Sequence, residues 1–267
     1  MFFWQKRWNL VLELDYKKMK KLFLLLPFLL VFISCEKPSE CIESTGDMVI
    51  REVPVTAFTK IKVYRGIELI IKQGADYKVE IQSGSNLIDN IEVSQVDNQL
   101  ILKDNTTCNW LREYGQTKVY ITAPNLEEIY SKTDRNISSE GVLTFPILRL
   151  YALDENGDFE KATGTGDFYI TINNNQLVIE NNTISRYFIS GTTDAAQFNF
   201  WASDGRIDAS NLTIQNLYVY HRGSNDMIVK PIQSITGKMV STGDIILKNN
   251  PPIVNVEQLY IGQVIYN

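Results

Sequence analysis

The chain has 267 residues, with 26 Lys and Arg against 31 Asp and Glu, three cysteines and one histidine. A net charge of −5 argues against nucleic acid or an anionic membrane surface as partner, because both select a basic face. A lone histidine and the lack of any Cys-x-x-Cys spacing argue against His-pair catalysis and a zinc site, so no metal or cofactor is expected.

Residues 1–34 read as processing signal rather than fold. Lys17 to Lys21 is a basic cluster, Leu22 to Ile33 is an apolar run broken only by Pro27, and Ser34 and Cys35 follow at once. A positive n-region, a short apolar h-region and a small residue before the cut predict an export signal, and the run is too short to span a bilayer comfortably. Met19 is the natural start, with residues 1–18 an upstream extension. The ending Val31-Phe32-Ile33-Ser34-Cys35 resembles the bacterial lipoprotein signal, in which the cut falls before a cysteine that carries lipid. That resemblance implies an acylated Cys35 and a protein held at a membrane, expected to be the outer membrane, facing the periplasm or the cell surface. Removing the six basic and two acidic residues of 1–34 leaves 20 basic and 29 acidic groups, a net of −9.

With Cys35 acylated, Cys41 and Cys108 remain as an even pair in an oxidising compartment, where a disulfide and two free thiols both stay open. Residues 35–47 are polar and contain Pro and Ser, which predicts a short tether.

From Met48 to Asn125 the sequence alternates with period two: Met48 to Val53, Phe58 to Tyr64, Ile67 to Ile71, Tyr77 to Ile81, Ile91 to Val96, Gln99 to Leu102 and Lys118 to Thr122. Each run predicts a strand. Gly74-Ala75-Asp76 and Asp97-Asn98 are turn signals predicting hairpin-like connections. Asn86 to Asn90 is the one place where a helical turn is expected.

Residues 126–267 repeat one unit: an alternating apolar run, a small polar turn, another alternating run. The apolar residue after the turn is Ile137, Phe159, Phe168, Ile207, Met227 or Ile245, and the late steps are 227 − 207 = 20 and 245 − 227 = 18. Such steps match one coil of a solenoid, whose units gain a core only by stacking. The expected fold is therefore all-β, a right-handed β-helix or β-solenoid-like stack of short strands preceded by hairpin-rich strands. A β-sandwich of short strands is the alternative. The 39 residues from Phe168 to Ile207 break the rhythm, predicting degenerate turns or a change of stacking direction.

These residues resemble the head GIN domain family of auto-transporter adhesin-like proteins. The resemblance rests on the strand pair around Gly66-Ile67-Glu68, the segment Asn86 to Ile91, the crossover Val119 to Tyr130, the turns Gly164 to Phe168 and Ser241 to Ile245, and Asn249 to Val256. It covers about Met48 to Asn267 and implies an exported β-helix-like protein. Glu68 stands where the family usually has Asn, and Ser131 to Asn136 and Ser203 to Ile207 depart from its Gly-Ser-Gly-Asp turn.

Asp134, Asp158, Asp167, Asp194, Asp204, Asp226 and Asp244 sit in or beside turns. Stacked, they could bind Ca²⁺, but the nonapeptide of calcium β-rolls is absent, and turn-forming Asp bonded to backbone is the better reading. Asp204 with Asp226, or Asp226 with Asp244, are candidate carboxylate pairs for a polysaccharide-cleaving β-helix enzyme. His221, beside a turn, is expected at the surface. Phe200, Trp201, Tyr218 and Tyr220 are the candidate binding face, taken from a wider aromatic group with Tyr151, Tyr187, Phe188 and Phe198. The expected function is a non-catalytic, envelope-anchored, adhesin-like module binding a glycan or protein, with a carbohydrate-active enzyme as the alternative.

Overall fold

The computed structural model describes residues 44–106, 115–154 and 164–267. Cys35, Cys41, Cys108, Asp158 and Phe159, and with them the signal, lipid and disulfide expectations, lie outside the described residues.

Among the described residues the regular structure is strand apart from a single 3₁₀ turn, Ile88–Asn90, at the position the sequence allowed. In chain order the strands are β1 (Met48–Val53), β2 (Lys60–Tyr64), β3 (Ile67–Gln73), β4 (Lys78–Gly84), β5 (Ile91–Val96), β6 (Gln99–Asp104), β7 (Thr117–Ala123), β8 (Glu128–Lys132), β9 (Ile137–Leu143) and β10 (Ile147–Ala152). Then come β11 (Phe168–Asn181), β12 (Arg186–Ser203), β13 (Arg206–Gly223), β14 (Met227–Met239), β15 (Ile245–Leu247), β16 (Ile253–Gln258) and β17 (Val264–Tyr266).

The strands stack in two ladders. In the first the order is β1-β4-β7-β3-β9-β11-β12-β13-β14-β15-β17. In the second it is β5-β6-β2-β8-β10-β11-β12-β13-β14-β16. The long strands β11 to β14 take part in both, because their first halves form one leg of a coil and their second halves the other. From β6 and β7 onward every step is parallel, as a stack of coils requires. Antiparallel strands β1, β4 and β5 occur only at the N-terminal end. The solenoid expectation is thus met and the sandwich is not.

Period-two alternation sends one face of each leg inward. In the first leg the inward column runs Val119, Leu69, Ile137, Phe168, Tyr187, Ile207, Met227, Ile245, each fully buried. Tyr187 resolves the broken rhythm: 187 − 168 = 19 and 207 − 187 = 20, so two ordinary coils occupy the gap and the stacking direction does not change. The turn before Tyr187, Asn182 to Ser185, carries neither Gly nor Asp, which is why the pattern hid it. Ser190 to Ala196, which looks like a repeat copy, is the opposite corner of the same coil.

One further expectation is corrected. Gly74 to Asp76 joins β3 to β4, which do not pair; β3 lies parallel to β7, and β4 antiparallel to it. Asp97 does close a true hairpin, β5 to β6, with φ of 53°. Gly205, Gly223, Gly243 and Gly262, unlike Gly66 in the β2–β3 turn, are not chosen for positive φ. Gly243 lies outside that region, yet a Cβ there would stand 2.2 Å from the Asn225 carbonyl and 2.7 Å from His221 Nε2. Space between successive turns, at strand spacing, is what excludes a side chain.

The stack does not follow chain order. The coil β6–β7 lies beneath β2–β3, and residues 124–127 then step past that coil so that β8 stacks on β2. Glu127 donates its backbone N–H to the Thr59 carbonyl (2.7 Å) on the way.

Candidate functional site

The turn carboxylates hold one coil to the next. Asp167 Oδ1 accepts the backbone N–H of Arg186 (3.2 Å) and its Nε (3.1 Å). Asp226 Oδ1 accepts the N–H of Asp244 (3.2 Å), and Asp244 Oδ1 that of Gln263 (2.8 Å). Asp134 accepts the N–H of Gly66 (2.9 Å), and Asp204 the Ser224 hydroxyl. The expected side-chain to backbone role is present, but between coils rather than within a turn. Among the described residues no three His, Cys, Asp or Glu side chains gather to hold a cation.

His221 is not at the surface. It is 1% exposed, stacked in an inward column between Phe200 and Met239, with the Phe200 ring edge-on at 6.4 Å. Nδ1 accepts the Gly223 N–H (3.4 Å), which assigns the proton to Nε2. Burial lowers its pKa to about 4, against smaller upward pulls from the Asn225 carbonyl, Asp226 and Asp244.

The candidate face divides by strand parity. Phe200 is fully buried and is removed from it: its position in β12 points inward, as do Phe198 and Tyr187. Trp201, just beyond, is 41% exposed, and Tyr218 43%. Tyr218 and Tyr220 both point outward from β13, on either side of inward Val219. The Trp201 and Tyr220 rings pack at 4.9 Å and 43°. Trp201 Nε1 donates to Glu180 Oε2 (3.1 Å), and Asn199 Nδ2 to Oε1 (3.4 Å), so the Glu180 carboxylate fixes the indole.

The same outward column continues toward the N-terminal end. Lys62, Tyr130, Tyr151, Glu180, Asn199 and Tyr220 are successive ladder partners, with Tyr130 and Tyr151 edge to face at 5.9 Å. Burial, then the Glu128 charge, raises the Tyr151 pKa, keeping the phenol a hydrogen-bond donor at neutral pH. Beyond Tyr220 the column ends on Lys238 paired with Glu257 (3.1 Å). Glu180 is out of step in the sequence, because 180 − 151 = 29 is not the coil step that relates later partners.

A parallel β-solenoid that holds aromatic side chains rigidly on the outside of one leg is the class of protein these observations define. The chain belongs to the head GIN domain family, whose description is "Putative auto-transporter adhesin, head GIN domain" and whose model matches residues 57–251. Solved structures share the fold. One described as a putative adhesin, from Bacteroides fragilis, has a TM-score of 0.74 at 21% identity, covering 84% of this chain and 100% of its own. Another, from Parabacteroides distasonis, has 0.60 at 14%, with 84% and 100% covered. A third, described as a putative lipid binding protein from Parabacteroides distasonis, has 0.57 at 16%, with 83% and 99% covered. No curated protein matches.

Proposed function

We propose that this protein is a non-catalytic binding module of the cell envelope, held by lipid on Cys35, which engages a protein or glycan partner through the outer face of its second leg. The observation that carries the reading is the group of exposed Trp201 and Tyr218 with half-buried Tyr220, on a sheet whose reverse side is fully packed. Exposed Trp and Tyr on a pre-organised surface supply contact area at small entropic cost. The family description and the neighbours described as adhesins support a surface-binding role.

The enzyme alternative finds less support. Cleavage by retention or inversion uses two carboxyls across the bond. Asp226 and Asp244 are each engaged by the next coil. The groove along the turns, about 580 Å³, has Asp204 as its one carboxylate among Ser203, Arg222, Ser224 and Ser241.

The test is binding of the purified mature protein to isolated envelope glycans and proteins. Trp201→Ala with Tyr218→Ala abolishes retention while the thermal midpoint holds; retention unchanged by both substitutions refutes the face. Cys35→Ala moves the protein from the membrane to the soluble fraction, and a membrane-bound variant would overturn the lipid anchor.

A further inference from the structure

The first leg carries, on its outer side, a feature that the second lacks. Strands β11 and β12 run in unbroken register from Phe168↔Tyr187 to Asn181↔Phe200, while the strands on either side both bulge. Between Tyr169 and Thr171 of β11, β9 advances from Ser138 to Val142, and Gly141 takes a φ of 83°. Between Phe188 and Ser190 of β12, β13 advances from Asp208 to Asn211. Bulges re-aim side chains and bend a strand away from the regular surface. Here two of them frame a trough of about 420 Å³ over the flat β11–β12 pair, within the range of about 300–1,000 Å³ usual for small-ligand sites.

The trough is furnished asymmetrically. Tyr169 and Phe188 stack at 4.9 Å and 9°, so Tyr169 has one ring face covered by Phe188 and the other free. The free face of Tyr169, 42% exposed, looks onto Ser138, its ladder partner on β9, whose small side chain leaves the space beside the ring open. Thr171 and Ser190 form the floor, hydroxyl to hydroxyl at 2.9 Å. Ser139 Oγ accepts the Thr171 N–H (2.9 Å), replacing the ladder bond lost in the bulge. On the far rim Asp208 Oδ1 is held by the Ser210 N–H (3.1 Å) and hydroxyl (2.6 Å), and the half-buried Asp208 and exposed Asn211 both line the trough.

From this we infer that the trough is a binding subsite for an uncharged pyranose ring, distinct from the aromatic face of the second leg. A pyranose has an apolar C–H face and a rim of hydroxyls, each both donor and acceptor. Tyr169 offers the platform for the first; Ser138, Ser190, Asp208 and Asn211 offer donors and acceptors for the second. Among the described residues the lining carries no cation: the Arg186 guanidinium, over the Phe188 ring at 5.9 Å, is ion-paired with Asp167. A phosphate or uronate would therefore meet the Asp208 carboxylate without a counter-charge, and a fully apolar ligand would cover the Asp208 carboxylate and the Asn211 amide without pairing them.

The probes are the methyl pyranosides of glucose, galactose, mannose and N-acetylglucosamine, with methyl glucuronide as the charged control, offered to the mature protein in saturation-transfer NMR. Transfer to ring C–H protons of at least one neutral pyranoside is expected, weakened roughly tenfold by Tyr169→Ala, the loss of one aromatic platform contact. Ser138→Trp, which fills the space beside the Tyr169 ring, abolishes it, and substitution of an exposed aromatic outside both faces, Tyr260→Ala, leaves it unchanged. The site is overturned if none of the neutral pyranosides receives transfer, if binding survives both Tyr169→Ala and Ser138→Trp in proteins with unchanged thermal midpoints, or if the glucuronide binds more tightly than every neutral probe. Loss with Trp201→Ala alone would move sugar binding to the second leg and likewise overturn it.

Discussion

Acidification should loosen the last coils of the stack through His221. In the unfolded chain an imidazole titrates near 6.5; in the fold burial holds it down to about 4. The folded state thus disfavours the proton and the unfolded state binds it first, so stability is complete above about pH 7 and falls as pH drops from 6.5 toward 4. At about 1.4 kcal/mol per pH unit the whole interval is worth about 3 kcal/mol, of which about 2 kcal/mol is already lost at pH 5. Urea unfolding at pH 7.5 and pH 5 of the wild type and of His221→Phe isolates this contribution, because carboxylates titrate alike in both proteins. The variant should lose about 2 kcal/mol less than the wild type over that interval. As the only histidine in the chain, it also gives a single imidazole signal for NMR titration. A titration midpoint near 6.5 in the folded protein, or equal losses in the two proteins, would refute the reasoning.

Gly237, at φ 133° with a would-be Cβ 1.9 Å from the Val219 carbonyl, should not accept alanine: Gly237→Ala should cost roughly 1–3 kcal/mol in chemical denaturation. Phe200→Ala should cost about 3–5 kcal/mol, the range for a fully buried aromatic, whereas Trp201→Ala next to it should lower partner retention with little change in unfolding midpoint. Asp226→Asn keeps an acceptor for the Asp244 N–H but loses the charge; it should cost about 1 kcal/mol and leave binding intact, and any polysaccharide cleavage lost in this variant would reverse the functional reading.

The sequence made the late coils legible because each strand buries one face, so the period of two and the near-constant coil length are both written in apolar residues. Ile207, Met227 and Ile245 could be placed in one column from spacing alone, and the helical turn at Asn86 to Asn90 and the hairpin at Asp97 were also visible. Tyr187 was not, since its coil closes on a turn of Asn, Thr, Ile and Ser that bears no signal of its own. Within the candidate face Trp201, Tyr218 and Tyr220 lie on the outer side of their strands, and Phe200 points into the core. Neighbouring aromatics in a strand alternate sides, and which parity faces the core depends on the register of the partner strand.

Composition and period by themselves determined that this protein is built of stacked strands around an apolar interior, because those patterns are properties of a single chain segment. Only the tertiary structure decided that β6–β7 lies beneath β2–β3, that the turn carboxylates bind an adjacent coil, that His221 is buried, and that two bulges frame a trough beside Tyr169. The physical reason is shared: each depends on which distant segments come within hydrogen-bonding distance, and a solenoid sets those neighbours by coil stacking rather than by closeness along the chain.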